Sequence, residues 1–512
     1  MTYPRSMADK IGQMLCVGFA GLTAPDYLLD WLRAGRVSGV ILFARNVESP
    51  EQLARLTESL HAAAKFPLLV SIDQEGGTVA RLRDGFTESP GALALASAAE
   101  DRLARAERVT RMLGEEMRAL GINWVYAPAV DLLHHFENPA LGTRSFGTDA
   151  DAVSDLAVAS VRGFQSAGVA ACVKHFPGLG NTAVDTHVAL PILSVSEQAL
   201  LESDLLPYRA AVAAGVASIM TTHTIFSALD SVYPATLSPH IIRRLVRGTL
   251  GFQGVVTSDC MEMKAIAAHH SPAESALLAA QAGVDLILFS HTPSMQAAAY
   301  DALLGAASDG RLSIDSIDQA NERIAAMKGR FAVTSPPDLS VIRRPDHLAT
   351  AEEAARAGIV SLYGEIPALQ ETNALLVEFA SYLESGIVEA GGQTGLVQRL
   401  KARMSGLQAV SLRSTDTEPE RVAYVLDALK ASDTLILATR SACWNAEQAE
   451  LAGALIRQSP RTILLCLRTP YDAQVLPRRR RARFLQRQRP LARRPRRRAT
   501  GVSPQPVGCR SR

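Results

Sequence analysis

The sequence predicts an α/β protein whose first two-thirds form a (β/α)8 TIM barrel, and three observations carry that prediction. Eight short apolar segments recur in the chain up to Phe289, and helical patterns separate most of them. Such alternation is typical of parallel strands joined by helical crossovers, because these strands are buried on both faces. Eight units within about 300 residues suit a barrel, which usually takes ~250 residues plus insertions. Polar residues, finally, follow six of the eight segments.

The elements follow in order along the chain. The predicted barrel strands are residues 13–18, 38–43, 68–72, 123–127, 170–174, 217–221, 254–258 and 285–289. Helical patterns lie between several of them, at residues 50–64, 101–120, 149–167 and 273–282. An open doubly wound sheet is the alternative, but it would normally carry a glycine-rich phosphate loop after its first strand. The segment from Cys16 to Gly21 is at best a weak version of that loop, so the barrel is preferred.

A smaller α/β domain with a parallel sheet is predicted after a proline-containing linker. Its predicted strands are residues 374–379, 408–412, 434–438 and 462–467, and its predicted helices are 419–431 and 445–458. We therefore expect a barrel domain over residues 1–334, a linker over 335–350 and a small α/β domain over 351–477. This domain is incomplete if the tail that follows it is not native.

The tail over residues 478–512 has a composition of its own. It contains fourteen arginines and no lysine, aspartate or glutamate, whereas the rest of the chain carries 39 basic and 51 acidic residues. A GC-rich gene read out of frame yields such a bias, and a disordered arm that binds polyanions is the alternative. Both interpretations exclude the tail from the fold, and we expect no nucleic-acid partner.

The remaining composition is that of an ordinary globular protein. No apolar run approaches the ~20 residues that a membrane helix needs, and the first residues lack the apolar core of a signal peptide. We therefore expect a cytoplasmic protein without a membrane partner. The six cysteines are scattered without a Cys-x-x-Cys pair, so they predict neither a disulfide framework nor a zinc site. No metal and no organic cofactor are expected, and the oligomeric state is not predicted.

Polar residues at the ends of the predicted strands indicate the site. In chain order they are Asp73-Gln74-Glu75, Asp131 and Arg144, Lys174-His175, His223, Asp259 and Ser290-His291. Any one of them could be a cap or a turn former, as His223 and His291 illustrate. Because the chemistry of such barrels lies at the carboxyl ends of the strands, agreement across six strands predicts one shared site.

The segments around these residues resemble the family 3 glycoside hydrolases, and within them the β-N-acetylglucosaminidase branch of the two-domain type. The matching segments cover roughly residues 8–330 and are 72–77, 121–123 with 127–128, 142–147, 174–178, 185–187, 234–238 and 251–259. The resemblance implies a retaining exo-β-N-acetylglucosaminidase that acts on terminal non-reducing β-linked N-acetylhexosamine. Short GlcNAc-containing glycans are the implied substrates, from peptidoglycan turnover or of the chitin type. Thr78 and Leu179 depart from the family pattern, which often has arginine and histidine there.

The resemblance also implies the catalytic roles. Asp259 is the implied nucleophile, which forms a covalent glycosyl-enzyme that water then releases with overall retention. A helix over residues 261–269 would instead make Asp259 an N-cap. His187, oriented by Asp185, is the implied proton shuttle, because an imidazole titrates near neutrality and can donate to the leaving oxygen and later accept from water.

Five further residues match the sugar-binding positions of the family, namely Asp73, Arg81, Arg144, Lys174 and His175. Their chemistry is appropriate, because a carboxylate accepts hydrogen bonds from sugar hydroxyls and cationic groups donate to hydroxyl and acetamido oxygens. For Arg144 a strand-end salt bridge is the structural alternative.

Other functions remain open at this point. A β-glycoside phosphorylase is one, since a histidine repels incoming phosphate less than a glutamate would. A Schiff-base aldolase with Lys174 as the amine nucleophile is another. A zinc hydrolase using His175, Asp185 and His187 is disfavoured, because no His-x-x-x-His helix appears. A sugar-binding protein without activity is the last.

Overall fold

The computed structural model describes residues 4–98, 100–136, 138, 140–182, 189–364, 369, 373–379, 395–413 and 419–477. Asp185, His187 and the tail over residues 478–512 lie outside the described residues.

Within the described residues eight parallel strands close into a barrel, so the predicted fold class is confirmed. The strands are β1 (Leu15–Gly18), β2 (Gly39–Leu42), β3 (Leu69–Ile72), β4 (Trp124–Val125), β5 (Ala170–Phe176), β6 (Ser218–Thr221), β7 (Val255–Cys260) and β8 (Leu286–Phe289). Each strand pairs with its neighbours in the sequence, and β8 closes the barrel against β1, with Cys16 opposite Leu288. All carboxyl ends therefore meet at one mouth.

Helices surround the barrel. They are α1 (Met7–Gly12), α2 (Asp26–Ala34), α3 (Pro50–Ala63), α4 (Ala92–Ser97), α5 (Arg102–Ala119), α6 (Ala150–Ser166), α7 (Glu197–Glu202), α8 (Leu206–Ala213), α9 (Lys264–Ala267), α10 (Pro272–Ala282), α11 (Pro293–Ser308), α12 (Ile314–Phe331) and α13 (Pro345–Ala357). The sequence located the main ones because polar caps mark their starts; α6, for example, begins after Asp149, whose side chain accepts from the N–H of Ala152. A π-helical segment over His240–Thr249 was not predicted. None of the described helices is long and apolar enough to span a lipid bilayer.

The side chains of the barrel strands alternate between two apolar layers. Leu15 and Val17 pack in the layer that includes the helices, whereas Cys16 between them packs with Trp124 and Tyr126 in a second cluster. This alternation is the period-two pattern of a strand. The buried indole and phenol fill space below the mouth, so the polar groups above them stand on a packed apolar floor.

A second sheet follows the barrel, and we refer to residues 373–477 as the second domain. Its four parallel strands lie in the order β10, β9, β11, β12 and are β9 (Ala374–Phe379), β10 (Gln408–Leu412), β11 (Thr434–Thr439) and β12 (Thr462–Cys466). The helices described here are α14 (Leu396–Lys401), α15 (Pro419–Lys430), α16 (Ala446–Gln458) and α17 (Asp472–Val475). Both faces of the sheet carry apolar clusters, as expected for a parallel sheet.

Candidate active site

Two barrel strands lose their regular pairing where the predicted site residues lie. The register of β5 against β6 shifts between Val173 and Phe176, and that of β7 against β8 shifts between Thr257 and Cys260. Such irregularities bend a strand and re-aim its side chains, and they are frequent next to active sites. Lys174, His175 and Asp259 all fall inside these two irregular stretches.

A short hairpin after β3 supplies more of the site. The segments Gln74–Gly76 and Val79–Ala80 pair antiparallel, and the Gln74 side chain accepts from the backbone N–H groups of Arg81 (2.8 Å) and Leu82 (3.1 Å). The turn passes through Gly76 and Gly77 at φ +88° and +58°, a conformation that favours glycine. The hairpin therefore brings Arg81 back beside Asp73.

Lys174 lies at the centre of an ionic cluster that joins these elements. Its Nζ is 2.8 Å from Asp73 Oδ1 and 2.7 Å from Glu75 Oε1. Arg144 binds Glu75 through both arms of its guanidinium, with Nε to Oε2 at 2.9 Å and Nη2 to Oε1 at 2.8 Å. Arg81 Nη2 lies 3.5 Å from Asp73 Oδ2. The five side chains of the cluster are at most 12% exposed, so their charges face little solvent screening.

The charge states of this cluster follow from its pairing. Burial acts to raise the pKa of Asp73, but Lys174 and Arg81 outweigh it, so that this pKa lies below its usual value. Burial likewise acts to raise the pKa of Glu75, and Arg144 and Lys174 lower it far more. The pKa of Lys174 is raised, because Asp73 and Glu75 outweigh the lowering effect of burial. A protonated Lys174 is a hydrogen-bond donor and lacks the free electron pair that Schiff-base chemistry requires.

His175 is oriented by Asp131, a fully buried carboxylate. Asp131 Oδ2 lies 2.9 Å from His175 Nδ1, and Asp131 Oδ1 accepts from the backbone N–H groups of His175 (3.1 Å) and Leu179 (2.7 Å). On the other side of the ring, Arg144 Nη2 lies 3.4 Å from His175 Nε2. Because arginine only donates, Nε2 must accept and Nδ1 must carry the proton that it donates to Asp131. Asp131 and Arg144 together fix the orientation of the His175 ring.

Asp259 lies within β7 and is partly exposed, and its Oδ1 accepts from the N–H of Cys260 at 2.7 Å. The helix that follows, α9, begins at Lys264 after an N-cap at Met263, so the alternative that Asp259 is an N-cap is wrong. Because Asp259 and Lys174 both lie toward the carboxyl ends of parallel barrel strands, Asp259 shares the mouth with the ionic cluster.

His223, which also follows a barrel strand, supports the loop behind Asp259. It is completely buried, with Nε2 2.9 Å from the carbonyl oxygen of Cys260 and Nδ1 2.9 Å from Thr236 Oγ1. Glu262 ties the same loop to the end of β8 by accepting from the backbone N–H of His291 at 2.7 Å. The His291 ring itself is exposed and lies against Phe43 at the rim, with ring centroids 5.4 Å apart.

The structure thus brings together five predicted sugar-binding residues, Asp73, Arg81, Arg144, Lys174 and His175, and places Asp259 at the same mouth. Two residues of the site received no role from the sequence, Glu75 and Asp131. Both follow predicted barrel strands, so the sequence did carry a signal for them. Their roles depend on a hairpin and a loop whose directions no sequence period reports. The predicted shuttle residues His187 and Asp185 lie outside the described residues.

Comparisons with known proteins agree with this geometry. A family model described as "Glycosyl hydrolase family 3 N terminal domain" matches residues 6–327. The "Beta-hexosaminidase" of Stenotrophomonas maltophilia (strain K279a) is 40% identical over 285 residues, which cover 54% of this chain and 83% of that protein. The "Beta-hexosaminidase A" of Pseudoalteromonas piscicida is 30% identical over 484 residues, covering 86% of this chain and 79% of that protein.

One solved structure is similar over nearly the whole chain. It is that of a glycoside hydrolase family 3 beta-N-acetylglucosaminidase from Paenibacillus sp. str. FPU-7, with a TM-score of 0.86 and 35% identity. The match covers 93% of this chain and 92% of that one, so the similarity includes the second domain as well as the barrel.

Proposed function

The chain belongs to the family 3 glycoside hydrolases, and from that premise we propose that it is a retaining exo-β-N-acetylglucosaminidase. Its substrate is a terminal, non-reducing, β-linked N-acetylhexosamine. The observation that carries the proposal is the set of paired, buried charges at the same barrel mouth as Asp259. Such a set can hold one sugar ring by its hydroxyl and acetamido oxygens and present the anomeric carbon to a carboxylate.

The described residues have different roles in binding the sugar. Asp73 is ionised and accepts hydrogen bonds from sugar hydroxyls, while Lys174 and Arg144 remain charged and donate to sugar oxygens. Each is already held by a partner before substrate arrives, so little reorganisation is needed during the reaction. Asp259 then attacks the anomeric carbon, and the resulting glycosyl ester is hydrolysed by water with overall retention.

We propose His187, oriented by Asp185, as the group that protonates the leaving oxygen and later deprotonates water. The family resemblance is the basis for this role, and two described residues of the mouth are unsuited to it. Glu75 has a pKa below its usual value and is bound by Arg144 and Lys174, so it carries no proton to give at neutral pH. His175 has both ring nitrogens engaged, by Asp131 and by Arg144.

The natural substrate and the domain limits are further parts of the proposal. Short glycans from peptidoglycan turnover or of the chitin type fit a site for a single N-acetylhexosamine in a cytoplasmic protein. We place the catalytic barrel at residues 1–334, the linker at 335–350 and the small α/β domain at 351–477. The barrel helix α12 ends at Phe331 and β9 begins at Ala374; between them α13 crosses the limit at residue 350 and contacts the barrel through Glu353 and Arg105.

The test is release of an aryl group from an aryl β-N-acetylglucosaminide by the purified full-length chain. Asp259→Ala should lower kcat by on the order of 10³-fold or more, since a missing nucleophile cannot be replaced by binding alone. His187→Ala should lower it strongly as well. Matched controls are Asp30→Ala and His240→Ala, which change exposed residues of the same domain and should leave the rate unchanged.

Product analysis completes the experiment. Initial release of the β-anomer of GlcNAc, seen by proton NMR, would support retention, and an aryl β-glucoside should be used poorly. A sugar 1-phosphate formed only with added phosphate would point instead to a phosphorylase. No release from well-folded wild-type protein under either condition would overturn the proposal, and borohydride trapping of a carbonyl substrate would then assess Lys174.

A further inference from the structure

The loop between β4 and α6 carries Arg144, and the second domain contacts it directly. Gly142, two residues before Arg144, has φ +48°, and a Cβ atom built there would lie 2.6 Å from Cη2 of Trp444. The position therefore favours glycine twice, through its backbone conformation and through the close approach of the indole ring. Such complementarity indicates a specific contact between this loop and Trp444.

Trp444 also makes a polar contact with the same loop. Its Nε1 donates to the carbonyl oxygen of Phe136 at 2.8 Å, and the rings of Phe136 and Tyr471 lie 5.7 Å apart. Asp472 links the segments that carry Trp444 and Tyr471. It is fully buried next to Tyr471, and its Oδ1 accepts from the N–H of Cys443, the residue before Trp444, at 3.0 Å. The second domain thus presents a braced aromatic pair to the loop.

An apolar cluster seals this contact. It consists of Leu133, Ala140, Leu141 and Leu179, with Tyr471 packed against it from the second domain. Leu179 stands where a histidine is frequent in the family. In this chain its side chain is 3% exposed and belongs to the contact between the domains. The departure therefore has a packing reason.

Arg144 is hydrogen-bonded to the part of the loop that the second domain contacts. Arg144 Nη1 donates to the carbonyl oxygen of Ala140 at 2.6 Å, and the Asn138 side chain accepts from the N–H groups of Ala140 and Leu141 at 3.0 and 3.1 Å. Asn138 Nδ2 donates to the carbonyl oxygen of Leu179 at 3.0 Å. The segment from Asn138 to Leu141 thus fixes the guanidinium of Arg144 at the mouth and also contacts Leu179.

We infer that Trp444 is a positioning residue for catalysis in the barrel, which acts by holding the loop of residues 136–144 so that Arg144 meets the substrate in a fixed geometry. The inference deepens the proposed function and rests on it. A surface loop without such packing samples several conformations. Misplacement of a binding group by about 1 Å costs up to ~10²-fold in rate, so the second domain has a direct effect on a reaction to which it adds no described reacting group.

The first measurement is steady-state kinetics of Trp444→Ala and Trp444→Phe on the aryl β-N-acetylglucosaminide. We expect Trp444→Ala to lower kcat/KM at least tenfold, mainly through KM, because Arg144 is a binding group. Trp444→Phe keeps a ring over Gly142 and loses only the bond to Phe136, so it should recover most of the activity. Tyr424→Ala, at an exposed aromatic residue of the same domain, is the matched control and should equal wild type.

A double-mutant cycle with Arg144→Lys separates positioning from general support of the fold. If Trp444 acts through Arg144, Trp444→Ala should cost less than threefold in the Arg144→Lys background. An equal loss in both backgrounds would overturn the inference, and so would wild-type activity in folded Trp444→Ala. If Trp444→Ala does not fold, Gly142→Ala carries the test, because its added methyl group would meet the Trp444 ring while the sequence of the second domain stays intact.

A readout that needs no activity keeps this inference distinct from the proposed function. Limited trypsin digestion should cut after Arg144 several-fold faster in Trp444→Ala than in wild type or Tyr424→Ala. Faster cleavage with an inactive wild type would mean that the contact holds the loop while the proposed function fails. An unchanged rate of cleavage in Trp444→Ala, with an active wild type, would contradict this inference and leave the proposed function standing.

Discussion

Lys328, at the amino end of the barrel, should make the stability of the protein depend on pH. It lies on α12 with 5% of its surface exposed, and its Nζ donates to Gln13 Oε1 at 2.6 Å. Burial lowers the pKa of Lys328 to about 7, against 10.5 for the free side chain. The unfolded chain therefore binds more protons between these two values, so the free energy of unfolding rises with pH across that window.

The magnitude follows from the two pKa values. Linkage gives a gain of about 2 kcal/mol in the free energy of unfolding between pH 7 and pH 9, and about 5 kcal/mol for the whole shift. Lys328→Met keeps the apolar length of the side chain and cannot titrate, so it should lack this gain. At pH 7 the variant should be more stable than wild type, because no buried amine has to lose its proton. This gain is reduced by ~1–3 kcal/mol, since Gln13 is left without its buried partner.

The assay is urea unfolding followed by intrinsic fluorescence at pH 7, 8 and 9, in which Trp124 reports the interior of the barrel. The stability difference between Lys328→Met and wild type should shrink by about 2 kcal/mol from pH 7 to pH 9. Lys264→Met, at an exposed lysine, is the matched control and should run parallel to wild type. Parallel curves for Lys328→Met and wild type would refute the reasoning, because Lys328 would then have no lowered pKa.

Two further predictions concern the mouth. Glu75→Gln leaves Arg144 and Lys174 with one buried negative charge fewer, so we expect a loss of stability of about 3 kcal/mol and a fall of at least tenfold in kcat/KM. Thermal unfolding measures the first and steady-state kinetics the second. A variant unchanged in both would show that the carboxylate does not organise the two cations. His223→Ala removes the anchor of the Cys260 carbonyl and should lower kcat about tenfold with little change in KM, since it displaces the proposed nucleophile and spares the proposed sugar-binding residues. A rise in KM alone would contradict that account.

The strands of the barrel could be predicted because burial on both faces leaves continuous apolar runs. Their ends were less accessible to sequence reasoning. β4 is confined to Trp124–Val125, whereas β5 continues to Phe176, because the carbonyl oxygens of Lys174 and Phe176 still accept from Val130 and Thr222 at 2.9 Å. These partners come from distant segments, so no local pattern reports them.

The candidate site was predicted in the same uneven way. Residues at strand ends were found because a barrel sends every carboxyl end to one mouth. Whether such a residue faces substrate or supports a neighbour depends on packing. His223 was predicted at the mouth as a strand-end residue, and its complete burial against Cys260 and Thr236 shows a supporting contact.

Asp131 has a consequence for anyone who would redesign this protein. One carboxylate fixes the ring of His175 and the backbone of Leu179, so a proposed sugar-binding residue and the chain that leads on to Thr182 share a single anchor. A loop transplanted from a relative with its seam before Leu179 would cut through that anchor and disturb both. A seam after Thr182 would leave that anchor whole, which makes this position the safer border for such an exchange.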